Sequence, residues 1–339
     1  MTETNPALQT DFTRQAGIEV PMICGAMYPC SNPELIAAVS EAGGIGIVQP
    51  LSLVYVYGYE FRKGLQRIRE LTAKPIGFNV IVEKTSRIYE ERMRRWVDEA
   101  LEEGVRFFVT ALGNPTWVVE KVHQAGGVVY HDVTERKWAD KAVDCGVDGL
   151  ICVNSRAGGH AGRKTPAELV AELEDLGLPL VCAGGIGDET AFLQALDLGY
   201  AGVQMGTRFI ATPECDVHQN YREAIVQAGE DDIVLTERIS GVPVAVINSP
   251  QVQKHGTKAG PVARLMLKGR KTKHWMRTIY ALRSLYTLKR GMKRGLSYKD
   301  VFQAGKSVAG VGQIEPAGDI VRRFAAALAE VRKGETARL

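Results

Sequence analysis

The sequence predicts an α/β fold, a (β/α)8 TIM barrel followed by a mostly helical C-terminal extension. Short apolar runs alternate with amphipathic helical stretches over about 210 residues, which fits eight β/α units in number and spacing. The runs show no polar/apolar alternation, as is typical of parallel strands buried on both faces. Many of the 36 glycines follow these runs, where strands end. A doubly wound sheet is the alternative that this pattern leaves open.

The individual elements follow from periodicity and from start and stop signals. Ser31 and Asn32 begin the first helical stretch, and Gly43 and Gly44 end it. Helices are predicted over residues 33–42, 86–103, 115–125, 135–145, 166–176 and 188–198. The eight strands are predicted over residues 21–26, 45–49, 76–82, 106–112, 128–133, 149–153, 180–183 and 202–206.

Regular alternation stops after residue 212. We therefore predict a barrel over residues 1–212 and an extension over 213–339, packed on the barrel because no Pro/Ser-rich linker separates the two. The extension is predicted to contain a helix at 218–227, short strands at 233–237 and 244–247, a basic helical segment at 254–299 and a last helix at 316–332.

The basic segment 254–299 holds 14 Lys or Arg and no Asp or Glu, although the chain as a whole has a formal charge of only +3. Two interpretations remain open. The segment is either an amphipathic helix with a solvated basic face, or a dock for an anionic group such as the phosphates of CoA or an acidic carrier protein. Because the rest of the chain is acidic, we do not expect nucleic-acid binding.

Composition sets further bounds. Hydrophobic residues make up 45% of the chain, which excludes a disordered protein. No apolar run approaches the ~18 residues that span a bilayer, so no integral membrane segment is expected. The N-terminus lacks the apolar core of a secretory signal, and the six cysteines form no CxxC pair. A reduced, cytoplasmic protein is the expectation.

The loops after the seventh and eighth strands predict a phosphate site. Gly184 and Gly185 follow one strand, and Gly206 and Thr207 follow the next. Glycine lets main-chain N–H groups approach an anion closely, and these two loops bind phosphate in many barrels. The alternative is that these glycines only form tight turns.

Two histidines are candidates for proton transfer. His160 lies between glycines in the loop after the sixth strand, and an ordinary imidazole has a pKa near ~6.5, which suits acid–base chemistry. His131, next to Asp132 at the end of the fifth strand, is the second candidate. No residues have metal-ligand spacing, and neither a GxSxG nor a P-loop motif is present.

Taken in order, these motifs resemble a known family. The segments are 21–27, Phe78-Asn79-Val80, AGGHAG at 157–162, AGGIG at 183–187 and QMGTRF at 204–209. They are similar to the nitronate monooxygenases, formerly called 2-nitropropane dioxygenases, which are related to the FMN-dependent enoyl-carrier-protein reductases. The resemblance implies an FMN-binding TIM barrel.

The resemblance also implies roles for individual residues. It makes His160 the catalytic residue. The cofactor-binding residues that it implies are Ala26, Met27, Asn79, Lys137, Gly158, Gly159, Ala183, Gly184, Gly185, Gln204, Gly206 and Thr207.

The sequence also departs from the family pattern. Family members usually read Gln-Gly-x-Glu before Ala-Gly-Gly-His, whereas this chain has Val153, Asn154, Ser155 and Arg156. Arg156 is therefore a substrate-side candidate that favours an anion. His131, where the family has small residues or proline, is the other substrate-side candidate.

The first expected function is nitronate monooxygenation, in which nitronates or nitroalkanes react with O2 to give carbonyl compounds and nitrite. The alternative is an NAD(P)H-dependent flavin reductase of enoyl thioesters or quinones. A non-catalytic barrel that binds a phosphorylated ligand is the third interpretation. The expected cofactor is FMN, with NAD(P)H as reductant in the second case. The expected partners are a small-molecule substrate, anionic or an acyl-CoA, and a second copy of the chain in a homodimer.

Overall fold

A computed structural model describes residues 5–83, 87–237, 242–258 and 302–336. Eight parallel strands close into a barrel in sequence order, with β1 paired to both β2 and β8. This confirms the predicted (β/α)8 barrel and rules out the open sheet. The strands are β1 Met22–Cys24, β2 Ile45–Val48, β3 Ile76–Ile81, β4 Phe107–Ala111, β5 Val128–Val133, β6 Gly149–Val153, β7 Leu180–Ala183 and β8 Gly202–Met205.

Helices cover the outside of the barrel. They are α1 Asp11–Ala16, α2 Pro33–Glu41, α3 Phe61–Leu71, α4 Arg87–Glu102, α5 Thr116–Gln124, α6 Arg136–Asp144, α7 Pro166–Leu173, α8 Glu189–Asp197 and the short α9 Thr207–Ile210. Helix α3 is an addition to the helices predicted from the sequence. It buries Phe61, Leu65 and Ile68, which lie at helical spacing among charged residues.

Side chains alternate between the two faces of each strand, so one part of the core lies inside the barrel and the other lies between the strands and the surrounding helices. Phe107 and Tyr130 point into the barrel and, with Phe12 of α1, close its lower end; the Phe107 and Tyr130 rings lie 5.0 Å apart. Val129 and Val133 point outward and pack beneath the helices. Because neighbouring residues of a strand face opposite sides, the inner face at the upper end of β5 belongs to Asp132.

The segment after the barrel packs back onto it. Helix α10 Gln219–Gln227 precedes an antiparallel pair, β9 Ile233–Thr236 and β10 Val244–Ile247. After α11 Pro250–His255, the last helix, α12 Ala317–Thr336, packs on α2 and α8. The predicted basic helical segment lies almost wholly outside the described residues, which stop at 258 and resume at 302. The division at residue 212 stays a prediction.

Within the described ranges, we find no helix with the length and apolar character that a bilayer span requires.

Candidate active site

The loop after β7 has a conformation that only glycine adopts readily. Gly184 has φ +119° and Gly185 has φ +85°. A Cβ atom on Gly184 would lie 2.5 Å from the main-chain nitrogen of Ala157 and 2.6 Å from Oδ1 of Asn154. The loop after β6, which carries His160, therefore packs directly against the loop after β7.

Main-chain donors are left without acceptors at these loops. Within the described ranges, the N–H groups of Gly184, Gly185, Gly206 and Thr207 donate no hydrogen bond. Donors that the fold leaves unsatisfied are available to an anion, because an N–H group without an acceptor is costly once it loses water. These four donors fit the phosphate group that is expected at these loops, and the assignment stays a prediction.

The loop that contains His160 is held by the C-terminal segment. The main-chain oxygen of Gly159 accepts a hydrogen bond from the Ala245 nitrogen of β10 at 2.8 Å. Gly158 packs so closely on Gly305 that a Cβ atom would approach the Gly305 nitrogen to 2.9 Å. His160 follows these two glycines in the loop after β6, and it is exposed.

Several of the other predicted cofactor-binding residues lie around the end of the barrel where the strands finish. Gln204 points inward, where it covers Gly25 of the loop after β1, and its Cγ lies 3.0 Å from the Cβ position there. Alternation along β3 also points Asn79 inward, opposite to the outward Phe78. Ala183 is buried in the inner core, and Ala26 packs against that core.

Met27 connects the loops after β1 and β8. Its Sδ lies 3.3 Å from the Cβ position of Gly206, and its main-chain nitrogen donates to Oγ of Ser31 at 2.9 Å. The loop after β1 thus lies beside the loop after β8, where phosphate binding is predicted.

The side chains of His131 and Asp132 lie on opposite faces of the barrel sheet. His131 faces outward, where its Nδ1 lies 2.7 Å from Oγ1 of Thr110 and burial lowers its pKa to about 4. Asp132 faces inward, and its Oδ1 is buried without a hydrogen-bond partner in the described part of the chain. Burial raises the pKa of Asp132 to about 7. Of the two, only Asp132 faces the barrel interior.

The structure places Lys137 in the first turn of α6. It lies on the exposed face of α6, where its ammonium is 5.1 Å from the ring centre of Trp138. The sequence match rested on position along the chain, which does not fix the direction of a side chain on a helix.

Arg156, predicted on the substrate side, lies next to the glycine loop after β7. The Cβ position of Gly185 is 2.6 Å from Nε of Arg156. Its guanidinium donates twice to Glu230, at 3.0 and 2.7 Å.

Four residues of this region were missed from the sequence. Asn154 is fully buried and fixes the loop, since its Oδ1 accepts from the Arg156 nitrogen at 2.8 Å and its Nδ2 donates to the Gly184 oxygen at 2.9 Å. Its place in the altered family motif was a signal. The others are Glu230, Gly305 and Lys306, and no local pattern marks them.

The comparisons with known proteins agree with this architecture. The model of the nitronate monooxygenase family matches residues 9–326. The chain is 26% identical to "(3aS,4S,5R,7aS)-5-hydroxy-7a-methyl-1-oxo-octahydro-1H-indene-4-carboxyl-CoA dehydrogenase" of Rhodococcus jostii, over 93% of this chain and 94% of the relative. It is 29% identical to a probable nitronate monooxygenase of Staphylococcus saprophyticus, over 73% of this chain and 81% of the relative.

A solved structure gives the same result. FabK from Thermotoga maritima superposes with a TM-score of 0.77 and 29% identity, over 98% of this chain and 99% of FabK. The family model covers nearly the whole chain, both glycine loops and the His160 loop included. The chain therefore belongs to the nitronate monooxygenase family and is a flavin-dependent oxidoreductase.

Proposed function

We propose that this protein binds FMN at the loops after β7 and β8 and oxidises nitronates or nitroalkanes with O2, giving carbonyl compounds and nitrite. The observation that carries the proposal is the packing of the His160 loop on the glycine loop, with four main-chain donors left without acceptors beside it. An anion held by those donors and a substrate next to His160 would lie at the same end of the barrel.

When bound, FMN supplies the electron transfer between substrate and O2. The chain supplies position and proton transfer. Gly184, Gly185, Gly206 and Thr207 hold the phosphate, while Gln204 and Asn79 offer amide groups to the ring from the inner face. His160 takes the proton of an acidic C–H bond, and the glycines beside it let the substrate approach closely.

A second candidate is an oxidoreductase of acyl thioesters that exchanges electrons with NAD(P)H. The specific observation is the match over nearly full length to the Rhodococcus jostii dehydrogenase, whose name specifies a carboxyl-CoA substrate. In that reaction His160 would transfer a proton next to the thioester.

One anaerobic experiment separates the two candidates. The yellow protein is mixed in parallel with propionate-3-nitronate, NADH, NADPH and an acyl-CoA, and the visible absorbance of its flavin is followed. Loss of absorbance with the nitronate alone supports the first function. Loss with a pyridine nucleotide or the acyl-CoA, and none with the nitronate, supports the second. A protein purified without flavin would contradict both.

The identity of the flavin is tested separately. Heat-released cofactor should co-migrate with FMN in chromatography, and neither FAD nor riboflavin should be found. The homodimer and the cytoplasmic location stay predictions, and sedimentation of the purified protein tests the first of them.

A further inference from the structure

Two cations and one carboxylate lie beside the predicted phosphate loops, and Arg156 stands where the family motif usually has Glu. Arg156 and Lys306 both bind Glu230, which gives the group one net positive charge. The inference below rests on the proposed binding of FMN and concerns what this charged group does there.

Arg156 is fixed against the first phosphate loop. Its main-chain nitrogen donates to Asn154, and the same asparagine binds the oxygen of Gly184. The side chain then runs across Gly185, whose Cβ position lies 2.6 Å from Nε and 2.9 Å from Cδ of the arginine. The guanidinium is thus next to one of the N–H groups that lack an acceptor.

The main chain of Gly305 and Lys306 contacts both loops of the predicted phosphate site. The main-chain nitrogen of Lys306 donates to the oxygen of Arg156 at 2.9 Å. The preceding nitrogen, that of Gly305, donates to Oγ1 of Thr207 at 3.0 Å in a buried contact. The segment around 305–306 therefore connects the two halves of the predicted phosphate site.

Glu230 holds both cations in place. It receives two hydrogen bonds from Arg156 and one from Lys306 at 3.1 Å. The hydrogen bond from Arg156, supported by Lys306, keeps the pKa of Glu230 below its ordinary value, so the carboxylate stays ionised. The three side chains are 34–39% exposed, so solutes can reach the cations.

We propose that Arg156, with Lys306 beside it, determines the preference of this protein for a phosphorylated flavin over riboflavin, and that Glu230 positions the two cations. A guanidinium next to a phosphate offers charge-assisted hydrogen bonds, which are stronger than those of neutral donors. The uncharged ribityl and ring portions of a flavin gain nothing from these charges. The predicted effect is therefore confined to the phosphate.

The test is a comparison of dissociation constants. FMN and riboflavin are titrated into the flavin-free full-length protein, and binding is followed by quenching of flavin fluorescence. Arg156→Gln should weaken FMN binding about tenfold or more and leave riboflavin binding unchanged. Added salt should weaken FMN binding in the wild type more than in the variant. Arg87→Gln, which removes an exposed ion-pairing arginine of α4, is the matched control and should change neither constant.

A charge swap separates phosphate recognition from a purely structural ion pair. The double variant Arg156→Glu with Glu230→Arg keeps an opposite charge at each position but removes the cation from Gly185. We expect FMN binding as weak as in Arg156→Gln, with unchanged riboflavin binding. Recovery of wild-type FMN binding in the swap would overturn the proposal, because the pair would then act only as a tether.

Other outcomes are equally decisive. Equal weakening of both flavins in Arg156→Gln would mean that Arg156 only shapes the loop, which also overturns the proposal. If neither dissociation constant changed in Arg156→Gln, the proposal would also be overturned, although FMN binding itself would remain intact. If the wild type bound neither flavin, the proposed function itself would fail.

Discussion

Two neighbouring side chains of β5 respond to opposite surroundings. His131 is buried under the helices and has a pKa lowered to about 4 by burial, whereas burial in the barrel raises the pKa of Asp132 to about 7. Protonation of the histidine and ionisation of the aspartate are each disfavoured in the folded protein. The two shifts have one cause, because burial disfavours the charged form, which lowers the pKa of a histidine and raises that of an aspartic acid.

The raised pKa of Asp132 predicts a pH-dependent stability. The unfolded chain loses this proton near its ordinary pKa of about 3.9, while the folded chain keeps it until about pH 7. The contribution of this group to the free energy of unfolding is therefore largest at low pH. It decreases by roughly 2–4 kcal/mol as pH rises between these two values. Asp132→Asn should unfold at a higher temperature than wild type at pH 8, with little difference at pH 4.

Thermal unfolding of the flavin-free protein from pH 4 to pH 8 measures this effect. Asp144→Asn, an exposed carboxylate on α6, is the control and should follow the wild type. His131 contributes in the opposite direction in both proteins, since its stability is lost as pH falls from about 6.5 towards 4. The difference between Asp132→Asn and wild type isolates the aspartate. Parallel curves for the two proteins would contradict the expectation.

His160 is the residue on which turnover should depend. His160→Asn should retain FMN, because the phosphate donors lie in other loops, but should lose about 10²- to 10⁴-fold in kcat, the usual contribution of a general acid or base. Flavin content and kcat with a nitroalkane are measured together. A variant with near-native rates in every assay would show that another group transfers the proton.

At the scale of elements, the loop after β7 depends on the absence of a side chain. Gly184 combines a positive φ with a main-chain atom 2.5 Å from its Cβ position, whereas Gly177 has φ +68° and open space around it. Gly184→Ala should purify without flavin and lose about 2–3 kcal/mol or more of stability, because the loop must move. Gly177→Ala should lose only about 1 kcal/mol and keep its flavin.

Flavin content and urea unfolding of the two variants give the comparison. Both glycines have a positive φ, but Gly184 is crowded and has the less accessible φ of +119°, so the difference between the variants reports both the close approach of the two loops and this φ. Flavin bound to Gly184→Ala at the wild-type level would be inconsistent with a phosphate site there.

At the scale of the molecule, a buried ionic contact joins the barrel to the last helix. Arg208 follows β8, is 2% exposed and binds Glu315, which also binds Arg323 of α12. Its guanidinium donates further to the Gln313 oxygen at 3.2 Å, and burial lowers the pKa of Arg208 to about 10. These contacts connect the loop after β8, where phosphate binding is predicted, to the C-terminal helix.

Removal of this carboxylate should destabilise the whole protein. Glu315→Gln leaves a buried guanidinium without its charged partner, which costs about 3–5 kcal/mol. Glu189→Gln, which removes the other, more exposed partner of Arg323, should cost about 1 kcal/mol or less. Urea unfolding of both variants measures the difference. Equal midpoints would mean that the buried contact contributes no more than the exposed one.

Closure of the sheet and the strand order came from the structure, while the sequence alone predicted the barrel, the positions of its strands and the two glycine loops. These are local properties, because apolar runs, helical periodicity and glycine pairs are each read within a few residues. Strand and helix positions were accordingly predicted to within a few residues. The directions of Lys137, His131 and Asp132 were not, because each depends on the register of a strand or the rotation of a helix.

The charged residues around the predicted phosphate site are brought together by tertiary packing. Glu230 lies 74 residues from Arg156 along the chain, and Gly305 lies 98 residues from Thr207. No periodicity connects such positions, since their contact arises when the C-terminal segment packs back on the barrel. The main-chain donors of the predicted phosphate site are thus set by local sequence, because they follow from the two glycine loops, whereas the charges beside them are set by the fold as a whole.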